Sequence, residues 1–144
     1  MADALDERTI SLDGAQKVLA AALVSARQMR IRVSVAVAGR AGDLKAFARM
    51  DGASMLSAET ARRKVHTVAM TGMSTQDFGS ILKSEMGEEP ELFHGMIGIE
   101  RLIAFAGGVP IRLDGQLIGA VAVSGGTSAQ DQEIAAGAAA AITA

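Results

Sequence analysis

The stretch Phe105-Ala-Gly-Gly-Val-Pro-Ile-Arg-Leu-Asp-Gly-Gln-Leu-Ile-Gly-Ala-Val-Ala-Val-Ser-Gly-Gly126 decides the fold. A glycine pair leads into a short apolar run, Asp114-Gly115 turns the chain, and a second apolar run returns to another glycine pair. Asp-Gly between two strand-like segments signals a β-hairpin, because both turn positions need positive φ and these residue types tolerate it. The hairpin then passes through Ser124-Gly-Gly-Thr-Ser128 into a helix, for which Ser128 is the expected N-cap, with Asp131 three residues on.

Working outward, a second hairpin is expected from the β-branched run Val33–Val37, a turn over Gly39–Asp43 and a return strand over Leu44–Met50. Ala15, Val18, Leu19, Ala22, Leu23 and Ala26 recur at helical spacing behind the potential cap Ser11. Asp51-Gly52 breaks the second hairpin, and Ser57 can cap a helix over 58–70 with an apolar stripe of Ala58, Ala61, Val65 and Val68. Gly72 ends it, and Ser74-Thr-Gln-Asp77 has capping-box spacing for a further helix that stops near Gly87. Residues 88–96 read as loop, and Leu102–Phe105 as a short strand. Hairpin connections imply an antiparallel sheet, so the expected class is α+β with about five strands flanked by helices, in one domain over residues 1–144.

Composition narrows the function. Hydrophobic residues make up 49% and aromatics only 3%, so the core must be built from small and aliphatic side chains. A net charge of −2, no long basic run, no Trp and no Tyr supply little for nucleic acid, which is not an expected partner. The absence of cysteine removes disulfides, zinc-thiolate sites and thiol nucleophiles. The acidic start lacks the marks of a signal peptide and no apolar run is long enough to span a membrane, so a cytoplasmic protein without membrane partners is expected.

Three stretches carry a resemblance. Arg49-Met-Asp-Gly-Ala53 precedes Ser57 and Ala61-Arg-Arg-Lys-Val-His-Thr67; Gly107-Gly-Val-Pro-Ile111 follows; Gly119-Ala-Val-Ala-Val-Ser-Gly125 and Gln130-Asp131 come last. Over about residues 33–142 the chain resembles the GlcG/HbpS family of small haem-associated proteins, and the C-terminal part of PduO-type corrinoid proteins. The resemblance implies a profilin-like sheet, a homo-oligomer from dimer up to octamer, and haem, a corrinoid or another flat anionic molecule as ligand. It points to Asp51, Lys64, Thr67, Gly107, Gly108, Val109 and Pro110 as ligand-binding residues. Val65 replaces the smaller residue usual after the lysine of the helix motif, which narrows any pocket there.

The chemistry visible in the residues leaves alternatives open. His66 shares a helix face with Glu59, Arg62 and Arg63, either as a solvated face or, if buried, as an acid–base pair Glu59/His66. Thr60, Lys64, Thr67 and Thr71 form a polar stripe that faces either a ligand or solvent. With no Cys or Tyr, a haem iron would take His94, His66 or a methionine as ligand, and His94 beside Phe93 is the preferred one. The loop before the last helix can hold an anion on its amides but is not a P-loop, and Ala122 spoils a Gly-x-Ser-x-Gly elbow at Ser124. A ligand-binding module, a catabolic enzyme working by isomerase- or lyase-type acid–base chemistry on a small carboxylated substrate, and an oligomeric regulatory subunit are all compatible with these residues.

Overall fold

The computed structural model describes residues 2–142. Its elements run α1 (Leu12–Gln28), β1 (Ser34–Gly39), β2 (Leu44–Arg49), α2 (Met55–Thr71), α3 (Thr75–Ser84), α4 (Pro90–Ile97), β3 (Gly108–Leu113), β4 (Gln116–Ser124) and α5 (Ser128–Ala139). The strands form one antiparallel sheet in the order β2-β1-β4-β3. The fold is α+β as expected, with four strands where about five were anticipated.

The sequence of β1 shows how the layers are sorted. Side chains alternate across a strand, and in β1 the valines lie on one face while Ser34, Ala36 and Ala38 lie on the other. Val35 pairs with Val123 and Val37 with Val121, so the valine face continues across β4 and packs on Val18 and Ala22 of α1 and Ile134 and Ala138 of α5. Ala36 and Ala38 pair with Ala122 and Ala120, and that small-residue face receives Ala61, Val65 and Val68 of α2. The result is three layers: α1 with α5, the sheet, and α2. Val65 is 2% exposed and belongs to the α2–sheet packing.

Both hairpins form. Asp114 (φ 52) and Gly115 (φ 76) take the left-handed conformations that an Asp-Gly turn requires. Pro110 sits on edge strand β3, where the missing N–H leaves the sheet intact. Ser11 caps α1 by accepting from the Gly14 N–H, and Ser74 caps α3 by accepting from the Asp77 N–H.

Four expectations need correction. The cap of α2 is Ser54, whose hydroxyl accepts from the Ser57 N–H; Ser57 lies inside the first turn and is buried. The cap of α5 is Thr127 rather than Ser128, completed by Gln130 in a reciprocal capping box. Residues expected as loop over 88–96 contain α4, because Pro90 occupies the first turn of a helix, where a missing N–H costs nothing. Leu102–Phe105 is not a strand. Its backbone serves other layers instead: the Ile103 N–H donates to Thr67 Oγ1 of α2 at 2.9 Å, and the Ala104 carbonyl lies so close over Gly79 of α3 that a β-carbon there would sit 2.1 Å from its oxygen.

Candidate functional site

Lys64 projects from α2 past the end of the sheet and is 1% exposed. Its Nζ donates to the Val123 carbonyl at 2.9 Å and stands 3.6 Å from Asp131 Oδ2, with the Phe105 ring centroid 5.1 Å away. The glycine pair before β3 makes this placement possible. Gly107 has φ +124, and a β-carbon there would lie 2.6 Å from both Lys64 Nζ and the Val123 carbonyl oxygen. At Gly108 a β-carbon would press on Thr75 Cγ2 at 2.9 Å and on the Lys64 β-carbon at 3.1 Å. The glycines therefore admit a lysine and leave no bare backbone for a ligand to approach.

Burial dominates the electrostatics of the pair. Desolvation pushes the Lys64 ammonium below its ordinary pKa, with the Asp131 charge working against it. Desolvation likewise raises Asp131, opposed by Lys64 and by the amides of Gly126 and Gly125. The Gly126 N–H reaches Asp131 Oδ1 at 2.9 Å, which fixes the carboxylate at the first turn of α5.

Above the pair opens a cleft of about 340 Å³ between the first half of α2 and the loop before α5. Its walls are hydroxylic on one side and apolar on the other. Ser57 bonds to Ser34 at 2.8 Å and to the Ser54 carbonyl at 2.6 Å, and Thr60 bonds to Ser124. Leu56 (72% exposed) and Phe105 (50% exposed) supply the apolar side. The arrangement can receive a carboxylate near Lys64, hydrogen-bond it from hydroxyls, and lay an apolar body against Phe105.

The expected site residues do not all converge here. Lys64 forms the floor and Gly107 and Gly108 lie behind it. Thr67 is fully buried, donating to the Arg63 carbonyl at 2.8 Å and accepting from Ile103, so it has no surface for a ligand. Val109 points into the core beneath α1 and α5, and Pro110 is half-buried in edge strand β3. Asp51 is exposed and lines a separate cleft with Arg27, Arg32 and Arg49. Glu59 bonds Arg63 Nε and Arg62 Nη2, each at 2.9 Å, and these guanidiniums hold its carboxyl below the ordinary range. His66 is half-buried, and burial first and the Arg101 charge second depress its pKa. His94 is exposed on α4, edge-on to Phe93 with centroids 5.7 Å apart. No group of three or more His, Cys, Asp or Glu that could hold a metal occurs among the described residues.

Asp131, Phe105, Ser57 and Ser124 were not expected as a group. Their nearest signal was the Gln130-Asp131 pair beside the Ser-Gly-Gly loop, which gave no hint that the carboxylate meets Lys64.

Comparisons with known proteins extend the picture. A family model described as "Haem degrading protein HbpS-like" matches residues 10–140. Protein GlcG of Escherichia coli strain K12 is 33% identical over 115 residues, covering 80% of this chain and 81% of GlcG. The crystal structure of Klebsiella pneumoniae protein ORFY superimposes with a TM-score of 0.87 at 30% identity, covering 98% of this chain and 95% of ORFY. The crystal structure of a PduOC:heme complex does so with a TM-score of 0.82 at 28% identity, covering 93% of this chain and 95% of that one.

Proposed function

The chain belongs to the HbpS-like family, and from that premise we propose that it is a small-molecule-binding protein whose cleft over Lys64 takes a flat, carboxylate-bearing ligand of the haem type. The observation that carries this reading is the buried ammonium of Lys64 at the floor of a cleft with one hydroxylic and one apolar wall. A buried cation is costly without partners, and the Val123 carbonyl at 2.9 Å with Asp131 at 3.6 Å leaves part of the three-donor capacity of the ammonium unused. A ligand carboxylate beside Lys64 would complete it, with the ring plane against Phe105 and Leu56. The PduOC:heme complex, a structure of the same fold, supports haem as the ligand class. A corrinoid, with amides on its rim, would use the hydroxyls of Ser57 and Thr60 and gain less from the cation.

The residues present fit the carboxylate edge and one face of haem. They supply no imidazole to its iron, because neither His66 nor His94 lines this cleft. Haem here is cargo held through its carboxylates and ring, and histidine ligation by His94 is not part of this reading. The test is a haemin titration followed by absorbance. The expected result is a saturable shift at fixed stoichiometry that survives His66→Ala/His94→Ala and is lost in Lys64→Met, with Phe105→Ala weakening it in a chain whose folding is undisturbed. Absence of a saturable shift, or full binding in both the Lys64 and Phe105 variants, overturns the reading.

One observation favours a second reading, an acid–base enzyme. Lys64 and Asp131 are both pushed toward their neutral forms at the bottom of an open cleft, an arrangement suited to proton transfer on a small carboxylated substrate. The acid–base pair would then be these two residues, since Glu59 is committed to two arginines. Incubation with small hydroxy- and oxo-carboxylates in deuterated water, watching for exchange that Asp131→Asn abolishes, tests it.

A further inference from the structure

The two flanks of α2 differ in chemistry. Residues 57, 60 and 64 face the Lys64 cleft, while 59, 62, 63 and 66 lie along the other flank, as helical spacing requires. There a second cleft of about 490 Å³ is bounded by Arg62, Arg63 and Arg101, with Leu44 and Val65 also in its lining and Glu59 its one carboxylate among the described residues.

Two of the three guanidiniums share the one carboxylate of the cleft. Glu59 is divided between Arg62 and Arg63, and among the described residues the Arg101 guanidinium has neither an ion pair nor a hydrogen bond. The backbone of Arg101 is held in the left-handed region (φ 70), an uncommon conformation for a side-chain-bearing residue. Two residues on, the Ile103 N–H donates to Thr67 Oγ1 at 2.9 Å, the hydroxyl proton of Thr67 going to the Arg63 carbonyl at 2.8 Å. Such local strain persists where surrounding structure enforces it, often at ligand sites. His66 adjoins the same cleft, its Nδ1 3.9 Å from where a Gly42 β-carbon would stand.

We propose that the Arg62/Arg63/Arg101 cleft is a second ligand site, for a small organic polyanion carrying a phosphate or paired carboxylates. Planar guanidinium forks match such oxyanions with two parallel hydrogen bonds. The half-exposed side chain of Leu44 offers contact to a short apolar portion, and the volume lies in the range of small-molecule sites. The site is independent of what the Lys64 cleft binds.

The experiment uses the whole chain and two probes, inorganic phosphate and citrate, titrated calorimetrically at constant ionic strength with chloride as control. One-site saturable binding is expected, weakened about tenfold or more in Arg101→Gln, the loss of one charge-assisted contact. The imidazole of His66, followed by NMR, should titrate at higher pH with the bound anion, because the anion offsets the Arg101 charge. That shift should vanish in Arg101→Gln, which alters an exposed side chain and leaves the fold intact. Tighter binding of phosphate assigns the site to phosphate esters; tighter binding of citrate assigns it to polycarboxylates. If both probes behave as chloride, or if Arg101→Gln binds as the parent does, the proposal falls. Haemin binding that is lost in Lys64→Met and kept in Arg101→Gln belongs to the other cleft, so the two readings fail separately.

Discussion

Lys64 and Asp131 approach to 3.6 Å from opposite faces of one β-sheet, meeting at the opening left by Gly107. The lysine belongs to the helix on the alanine face and the aspartate to a helix on the valine face, so their contact clasps the outer layers around the sheet's end. Both side chains are 5% exposed or less.

Breaking that contact from one side strands a buried charge. Lys64→Met and Asp131→Asn should each destabilise the chain by about 3–5 kcal/mol, the usual penalty for removing one partner of a buried pair. The double variant Lys64→Met/Asp131→Leu should recover most of the loss, because apolar replacements of both partners leave no orphaned charge. Urea unfolding of the four proteins measures this, and a double variant as unstable as the sum of the singles contradicts it.

The pH dependence of stability follows from the same burial. Asp131 holds its proton more tightly in the folded chain than in the unfolded one, where its value is the ordinary 3.8. Its contribution to stability is therefore fully present below pH 3.8 and is lost as pH rises through the raised folded-state value. Lys64, with a lowered folded-state value, acts oppositely at the alkaline end: stability rises as pH climbs from that value toward the ordinary 10.5. Denaturation of the parent and Asp131→Asn across the acid range should show a steeper fall with rising pH in the parent. Parallel curves would exclude a raised Asp131.

Two glycines with positive φ should respond differently to alanine. Around Gly115 no atom lies within 4 Å of the added β-carbon, so only backbone strain of about 1–2 kcal/mol is expected. At Gly107 the added carbon collides with Val123 backbone and with Lys64 Nζ, so Gly107→Ala should cost clearly more and expose the ion pair. Thermal unfolding ranks the two; equal losses would mean that Gly107 serves only its own dihedral angle.

The outer surface of α2 and its start carry Met55, Leu56 and Met70 at 77%, 72% and 57% exposure. Two of these side chains stand at the start of the helix and one at its end, and apolar surface left uncovered in this way favours association. Sedimentation at micromolar concentration should give a homo-oligomer, a dimer at least, and replacing Leu56 and Met70 by Glu should reduce its mass. A parent that sediments at 14.8 kDa contradicts this.

The hairpins and the first helix were legible because each is decided locally: Asp114-Gly115 fixes a turn and the alternation in Val33–Val37 fixes a strand. Helix α4 was hidden by Pro90, which reads as a breaker unless it is placed at the first turn. Ser54 and Ser57 compete as caps, and the hydrophobic Met55 and Leu56 between them look like a pre-helical segment although they open the helix. Lys64 could be singled out from its motif, but its burial depends on Asp131, 67 positions later, and on a missing β-carbon at Gly107. Sequence spacing carries no information about such a three-body fit. The same holds for Glu59, whose two arginine partners are local in sequence yet remove it from any role as a free base.

The alanines beneath α2 have a consequence for selectivity. Ala36, Ala38, Ala120 and Ala122 are fully buried, and together they fix how deeply the helix settles on the sheet. Because α2 is a common wall of both clefts, its depth sets both apertures. A change such as Ala122→Val would touch no ligand, yet it would lift the helix and re-gauge both openings in one step. The calibre of each site is thus written in methyl groups that neither site contains.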